Sequence, residues 1–361
     1  STLFAALNQY IDKANTHDRR YYFECKNLFE LKMTEEFNSA MKFGLRAFLG
    51  IDTRHYRMES PNDTTTDKET EKPVITFHHQ TKDDNVVFVG GQIFKNVGEY
   101  LRWKAGAKFY LMGYRKGNYE VTGDVDIHFP VLNHEANIYG KAIIKSQTPE
   151  DFEKEYYSNH FRWKNANLED ATISKFEGGI RIPDLKLKLS AFGGILDNYI
   201  YFNENCLPTQ TKEAVKVIGA YGEKHFSIIG FNSIIRLAWQ HTSDDLAMPL
   251  PEFSAQATSF YEAFLFDVLT LQLGVDIRYH NAYFAPKYMP ALMQYHAQTE
   301  RKIGNYGFFD PFINFHLKRM RVYFKYEHVN SKWGSADYFL SPYYPAAPGT
   351  FKFGLSWNFY D

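Results

Sequence analysis

The stretch Leu101-Arg102-Trp103-Lys104-Ala105-Gly106-Ala107-Lys108-Phe109-Tyr110-Leu111 decides the fold. Successive side chains of a β-strand point to opposite faces. Leu101, Trp103, Ala105, Ala107, Phe109 and Leu111 therefore share one face, and Arg102, Lys104, Gly106, Lys108 and Tyr110 share the other. A helix would scatter apolar residues spaced two apart around its whole circumference, so the helical reading fails. The same period returns where Met41, Phe43, Leu45, Ala47, Leu49 and Ile51 alternate with Lys42, Gly44, Arg46, Phe48, Gly50 and Asp52. It returns again where Lys186, Lys188 and Ser190 interrupt Leu185, Leu187, Leu189 and Ala191, and along Leu269 to His280. Runs of ~10–14 residues exceed the ~5–6 of ordinary soluble strands. They suit tilted strands crossing a bilayer, which need ~9–11.

Composition supports that reading. The 361 residues carry 41 Lys+Arg against 42 Asp+Glu, a net charge of −1, so nothing in the total advertises nucleic acid. With 44% apolar and 23% charged residues, the chain is not a disordered one. Aromatic residues reach 17% of the chain, more rings than a soluble core requires but fitting for a lipid-facing wall with aromatic girdles. No apolar run approaches the ~18 residues of a transmembrane helix. Cys25 and Cys206 are too few for a disulfide framework or a zinc site and read as free thiols.

Connections alternate in length. Short ones include Lys116-Gly117-Asn118, Pro183-Asp184 and Lys318 to Arg321. Long polar ones run over Glu59 to Lys72, Thr148 to Asn159, Thr242 to Glu252 and Asn330 to Gly349. Short periplasmic turns and long external loops produce this alternation. The expected architecture is all-β: one domain over residues 1–361, a transmembrane antiparallel β-barrel with both chain ends on the periplasmic side. Hairpin counting predicts about 14 strands, with 16 or 18 allowed if long segments split. Residues 1–17 stand apart as an N-terminal segment, a short helix or a plug or periplasmic piece, and residues 18–361 form the barrel.

The closing strand is a specific signal. Phe351, Phe353, Leu355, Trp357 and Phe359 lie on one face, against Lys352, Gly354, Ser356 and Asn358 on the other. This resembles the C-terminal insertion signal of bacterial outer-membrane barrels, here followed by Tyr360-Asp361. A set of ordered blocks extends the likeness along the chain: Gly98-Glu99-Tyr100-Leu101-Arg102-Trp103, Tyr156-Tyr157-Ser158-Asn159-His160-Phe161-Arg162-Trp163, Asn198-Tyr199-Ile200-Tyr201-Phe202, Pro249-Leu250-Pro251-Glu252, Arg278-Tyr279-His280-Asn281-Ala282-Tyr283 and Gly304-Asn305-Tyr306. In these blocks the chain resembles the porin family of Bacteroidota outer membranes. The resemblance implies a Gram-negative outer-membrane β-barrel that contacts outer-membrane lipids and the barrel assembly machinery. It implies no catalytic residues.

Candidate pore-lining residues follow from the polar rows: Lys42, Arg46, Arg102, Lys104, Lys108, Lys141, Lys145, Lys186, Lys188, Arg278, Lys325 and Lys352, with Arg162, Lys164, Lys175 and Lys216 on the same assignment. Acids such as Glu120, Asp124 and Asp126 neutralise part of the field, and the remaining excess of cations predicts a mild anion preference. Tyr22, Tyr110, Tyr156, Tyr157, Trp163, Trp239, Tyr279, Trp357 and Tyr360 are read as interfacial girdle residues. Ser158-Asn159-His160 and His241 to Asp245 juxtapose Ser, His and acids, but a triad is defined by geometry rather than adjacency, so no enzyme is expected. His78 and His79 point to opposite strand faces and cannot share a metal, and no phosphate-binding glycine loop is present. No cofactor, metal or nucleic acid is expected. Two function classes stand: a passive diffusion porin for small hydrophilic solutes, or a non-conducting barrel serving as scaffold or receptor with a lipoprotein or another outer-membrane protein as partner.

Overall fold

The computed structural model describes residues 18–36, 42–66, 73–131, 134–334 and 338–359, and within residues 60–78 the backbone alone. The N-terminal segment 1–17 and Tyr360 lie outside the described residues. One antiparallel sheet of 15 strands takes up most of the chain, each strand hydrogen-bonded to the next in sequence order. Its strands are β1 (Arg19–Met33), β2 (Gly44–Thr66), β3 (Pro73–Lys95), β4 (Leu101–Met112), β5 (Tyr119–Val131), β6 (His134–Gln147), β7 (Ala171–Ile182), β8 (Leu187–Asp197), β9 (Val215–Ile228), β10 (Phe231–Thr242), β11 (Phe253–Leu265), β12 (Leu269–His280), β13 (Tyr306–Leu317), β14 (Met320–Glu327) and β15 (Thr350–Trp357). β1 and β15 are the two edges, and among the described residues no pairing joins them.

The described sheet holds 15 strands, within the expected range of about 14 to 18. The segment Glu59 to Lys72, expected as a loop, departs from that reading in its first part. Glu59 to Thr66 is not loop but the continuation of β2, paired with β3 down to Thr66 opposite Pro73. A register shift between Pro61 and Asp63 accommodates the proline, which cannot donate to a regular ladder.

An odd number of strands also places the two edges' outer ends differently. β15 finishes at the end bearing the tight turns 183–186, 229–230, 266–268 and 318–319. β1 starts at the opposite end, where Asp18 accepts a hydrogen bond from the Asn159 amide at 3.3 Å. The strand wall therefore does not enter and leave on one side. At the tight-turn end, Lys186, Ile229, Phe266 and Lys318 hold positive φ angles of 46°, 45°, 55° and 51°. Left-handed backbone of this kind matches the twist of hairpin strands. The short connection 113–118 belongs to the long-loop end, because the Tyr114 hydroxyl donates to Glu150 at 3.3 Å.

Register separates two faces along the whole sheet. Arg46, Lys104, Lys108, Lys188, Arg278 and Lys352 share a face with the buried residues Arg54, Tyr56, Met58, Val86, Tyr110 and Tyr139. This is the inner face. On the other face Leu49, Phe109, Leu189, Leu237, Leu273, Phe353 and Trp357 are exposed. Glycines let inner rings lie flat on the wall: a Cβ at Gly50 would sit 2.0 Å from the Phe88 ring, and one at Gly90 would sit 2.2 Å from the Phe48 ring. Trp103, Tyr261 and Trp357 fall near the tight-turn ends of their strands on the outer face, and Tyr119, Trp239, Phe253 and Tyr279 near the long-loop ends. Tyr22 and Tyr110 are inner residues instead, because their row pairs with Tyr56 and Phe88.

Candidate functional site: the inner wall and its cap

Cross-strand partners define the inner rows. Lys104, Asp124, Lys141 and Glu177 are successive register partners on β4 to β7, the next inner row ends on Lys175 opposite Ile143, and Lys108, Glu120 and Lys145 form the row after it. Lys108 pairs with Glu120 at 3.2 Å and lies over the Phe88 and Tyr110 rings. Lys188 sits between the Tyr139 and Tyr221 rings, at 5.8 and 5.1 Å. Arg46 bonds Glu30 at 2.5 Å. On the far wall Arg278 reaches Asp310 at 2.9 Å, Lys325 reaches Asp276 at 2.9 Å, and Lys352 reaches Glu327 at 2.6 Å. Arg102 faces Asp126 in register and donates to the Gly98 carbonyl. Lys104, Lys141, Lys145 and Lys175 make no ion pair among the described residues. The inner wall is therefore neutralised on the β12–β15 side and left cationic on the β4–β7 side.

Several assigned residues fall elsewhere. Lys42 precedes β2 and is exposed beside the turn. Lys186 occupies the turn 183–186, where left-handed backbone takes it off the strand. Lys216 is an outer residue, because the inner row of β9 begins with Val215 opposite Leu196. Arg162 and Lys164 lie in a short ribbon, Arg162–Lys164 paired with Glu155–Tyr157, outside the wall. Phe351, Phe353, Leu355 and Trp357 form the outer row of β15, and Phe359 follows the strand with its ring stacked 5.9 Å from Trp357. Inner residues that the sequence reading missed include Arg20, Arg54, Lys82, Glu223 and Asp310. The signal for Arg54 was present: the even-numbered row of β2 runs on past Asp52 through Arg54, Tyr56 and Met58.

At the long-loop end the connections interlock. Loop 148–170 folds in against β1 to β3: Arg54, only 7% exposed, bonds Glu150 at 3.2 Å and Asp151 at 3.7 Å, while Lys82 holds Asp151 at 3.0 Å. The Arg20 guanidinium lies 5.2 Å from the Phe152 ring and 5.1 Å from Tyr156. Tyr156, Trp163, Cys206 and Leu292 then bury against Tyr56 and Met58, so three connections and β2 share one dry core. Burial pushes the Cys206 thiol up to about 11, which leaves it an inert packing group. Hydrogen bonds to main-chain carbonyls join the pieces: the Ala297 amide donates to the Phe202 carbonyl at 2.7 Å, and the Arg20 guanidinium donates to the Leu292 carbonyl. The Ser341 hydroxyl donates to the Pro286 carbonyl and the Asn165 amide group to the Pro208 carbonyl, so connections 148–170, 198–214, 281–305 and 328–349 form one cap. Tyr156, Tyr157 and Trp163 are cap residues rather than girdle residues, because loop 148–170 turns inward.

The Ser/His/acid clusters serve loop geometry. The Ser158 hydroxyl accepts the Phe161 amide at 2.9 Å, and Asp244 accepts the Leu246 and Ala247 amides.

An amphipathic antiparallel wall with a polar inner face and an aromatic-flanked apolar outer face is the architecture of outer-membrane β-barrel proteins. Over residues 1–361 the chain matches the family described as "Putative porin", and it belongs to that family. No curated protein matches it. Among solved structures it is similar to a mutant of the ferric enterobactin receptor PfeA from Pseudomonas aeruginosa in complex with enterobactin, with a TM-score of 0.63, 12% identity, and coverage of 93% of this chain and 54% of that one. It is also similar to the siderophore receptor PirA from Acinetobacter baumannii, with a TM-score of 0.61, 10% identity, and coverage of 97% and 57%. The copper transporter OprC gives a TM-score of 0.57 at 15% identity, covering 87% and 53%. The chain thus spans about half the length of these neighbours, and at such identities the likeness concerns the fold.

Proposed function

We propose that the protein is a channel of a Gram-negative outer membrane, passing small hydrophilic solutes by diffusion with a mild preference for anions. The observation that carries this reading is the cluster of inner-face Lys104, Lys141, Lys145 and Lys175, cations without ion pairs among the described residues, on a wall whose outer face is apolar. Lipid tolerates no open sheet edge, since each unpaired backbone group there costs several kcal/mol. β1 and β15 run in the same direction, so antiparallel closure takes an odd number of further strands and yields an even-numbered barrel. The cap bears on a second reading. Its interlocked loops cover the inner face of β1 to β3 and suit a receptor or scaffold barrel that opens only on engagement.

Planar-bilayer recordings of purified protein separate the two. Under a KCl gradient the channel reading expects an anion-favouring reversal potential that grows as salt falls, because the Debye length is ~8 Å at physiological ionic strength. Lys104→Glu with Lys145→Glu should weaken or reverse its sign. A cation-selective pore, or a sign indifferent to that double change, overturns the channel reading's anion preference. Absence of current from wild type, with current appearing after removal of residues 152–163, favours the capped receptor.

A further inference from the structure

The upper part of the inner wall holds a concavity of about 570 Å³, inside the ~300–1,000 Å³ range of small-molecule sites. Its lining mixes three chemistries. Lys141 and Lys175 supply cationic groups with no ion pair among the described residues. Asp124 and Glu177 supply carboxylates, and Glu177 is oriented by the Tyr139 hydroxyl, which donates to it at 2.7 Å. Phe192 supplies a ring that lies on the wall over Gly219, where a Cβ would come within 2.3 Å of it. Met248 packs with Leu196 and Val215 and brings loop 243–252 over this part of the wall.

A simple inorganic anion would use the lysines and be repelled by the two carboxylates. A neutral sugar would use the carboxylates and the ring and leave the lysines idle. An acidic sugar uses all three. Its carboxylate reaches Lys141 and Lys175, its hydroxyls donate to Asp124 and Glu177, and the apolar face of its pyranose ring stacks on Phe192. We propose that this concavity is a binding station for uronic-acid saccharides on their way through the lumen. The assignment deepens the channel reading and rests on the inner face being the lumen.

The test uses equilibrium binding as well as current, so the two readings fail separately. Calorimetry on the full-length protein in detergent, titrated with galacturonic acid, reports binding whether or not the channel conducts. Binding should be at least about tenfold weaker for Lys141→Gln with Lys175→Gln and for Phe192→Ala. Glucose, which lacks the carboxylate, and acetate, which lacks both the hydroxyls and the ring, should bind at least about tenfold more weakly than galacturonate. In bilayers, galacturonate should block the wild-type current in a concentration-dependent manner, and Phe192→Ala should relieve the block. Heat-modifiable migration on gels verifies that each variant is folded, and Phe192→Tyr, which keeps the ring, should retain binding. Galacturonate binding no tighter than acetate, or binding unchanged in both the lysine and Phe192 variants, overturns the station. Anion-selective current without galacturonate binding would overturn the station while leaving the channel reading standing.

Discussion

The wall and the cap spend aromatic residues in opposite ways. On the wall, Phe353, Trp357, Phe231 and Tyr261 stand exposed on the outer face, touching little of their own chain. In the cap, Tyr156 and Trp163 are 1% and 7% exposed, their rings 4.7 Å apart, with Phe152 and Phe202 packed around them. A ring in the cap is covered by protein because the cap faces water, whereas a ring on the wall is left for lipid to cover. The same residue type therefore reports which solvent each region was built for. Inner wall positions show a third use: Phe48, Phe88 and Phe192 lie flat over glycines of the neighbouring strands.

The comparison can be broken most severely at the last strand. Replacing Trp357 and Phe359 by Ser removes the stacked outer pair while sparing the inner residues, and assembled protein should fall to near absence in membrane fractions. Normal membrane levels would show that β15 does not carry the insertion signal. Next in size is the cap. Trp163→Ala removes a buried ring whose indole N–H also donates to the Phe152 carbonyl at 2.9 Å, and should cost about 3–5 kcal/mol of cap stability. Rapid protease clipping within loop 148–170, with the heat-modifiable barrel band retained, is the expected outcome; clipping at the wild-type rate would mean the cap is not cooperatively packed.

A third prediction sets the two faces of one strand against each other. Leu273→Arg, on the outer face at mid-strand, should destabilise by ~2–4 kcal/mol, while Gln272→Arg on the inner face should be nearly neutral. Unfolding titrations in lipid vesicles measure both, and equal costs would mean the faces are assigned wrongly. The mildest effect concerns acid. Burial holds His296 in the cap below the ordinary imidazole range; its Nδ1–H donates to the Ala297 carbonyl and its Nε2 has no partner among the described residues. The folded cap therefore resists a proton that the opened cap accepts. Cap stability is fully present above the free imidazole pKa of ~6.5 and declines as pH falls from there toward the lower folded value. Protease sensitivity of the cap should rise on acidification, and His296→Gln should flatten that rise.

Much of the wall was legible because a strand half in lipid and half facing polar lumen must alternate, and alternation is a local property. Leu101 to Leu111 displays it, and so does Thr350 to Trp357. Legibility failed where alternation stops meaning lipid. Arg54, Tyr56 and Met58 continue the inner row of β2 above the apolar band, yet Arg57 and His55 on the outer row are polar, so the pattern dissolves although the strand does not. Lys186 and Lys216 failed for other reasons: Lys186 keeps the parity of Lys188 but sits in the turn, off the strand, and Lys216 lies on β9, whose inner row is odd-numbered, and side-chain type alone marks neither.

The amino-acid sequence by itself determined that this chain forms an antiparallel wall with one apolar and one polar face, and which residues of most strands belong to each. That information lies in a period of two residues and needs no distant partner. Only the tertiary structure decided that the long connections turn inward and join as one cap, that Arg54 is a buried cation, and that among the described residues Lys104 and Lys141 go without an ion pair while Lys325 and Arg278 are neutralised. Those outcomes depend on contacts between residues as far apart as Arg20 and Leu292, whose pairing follows from how the sheet curves and where each loop lands.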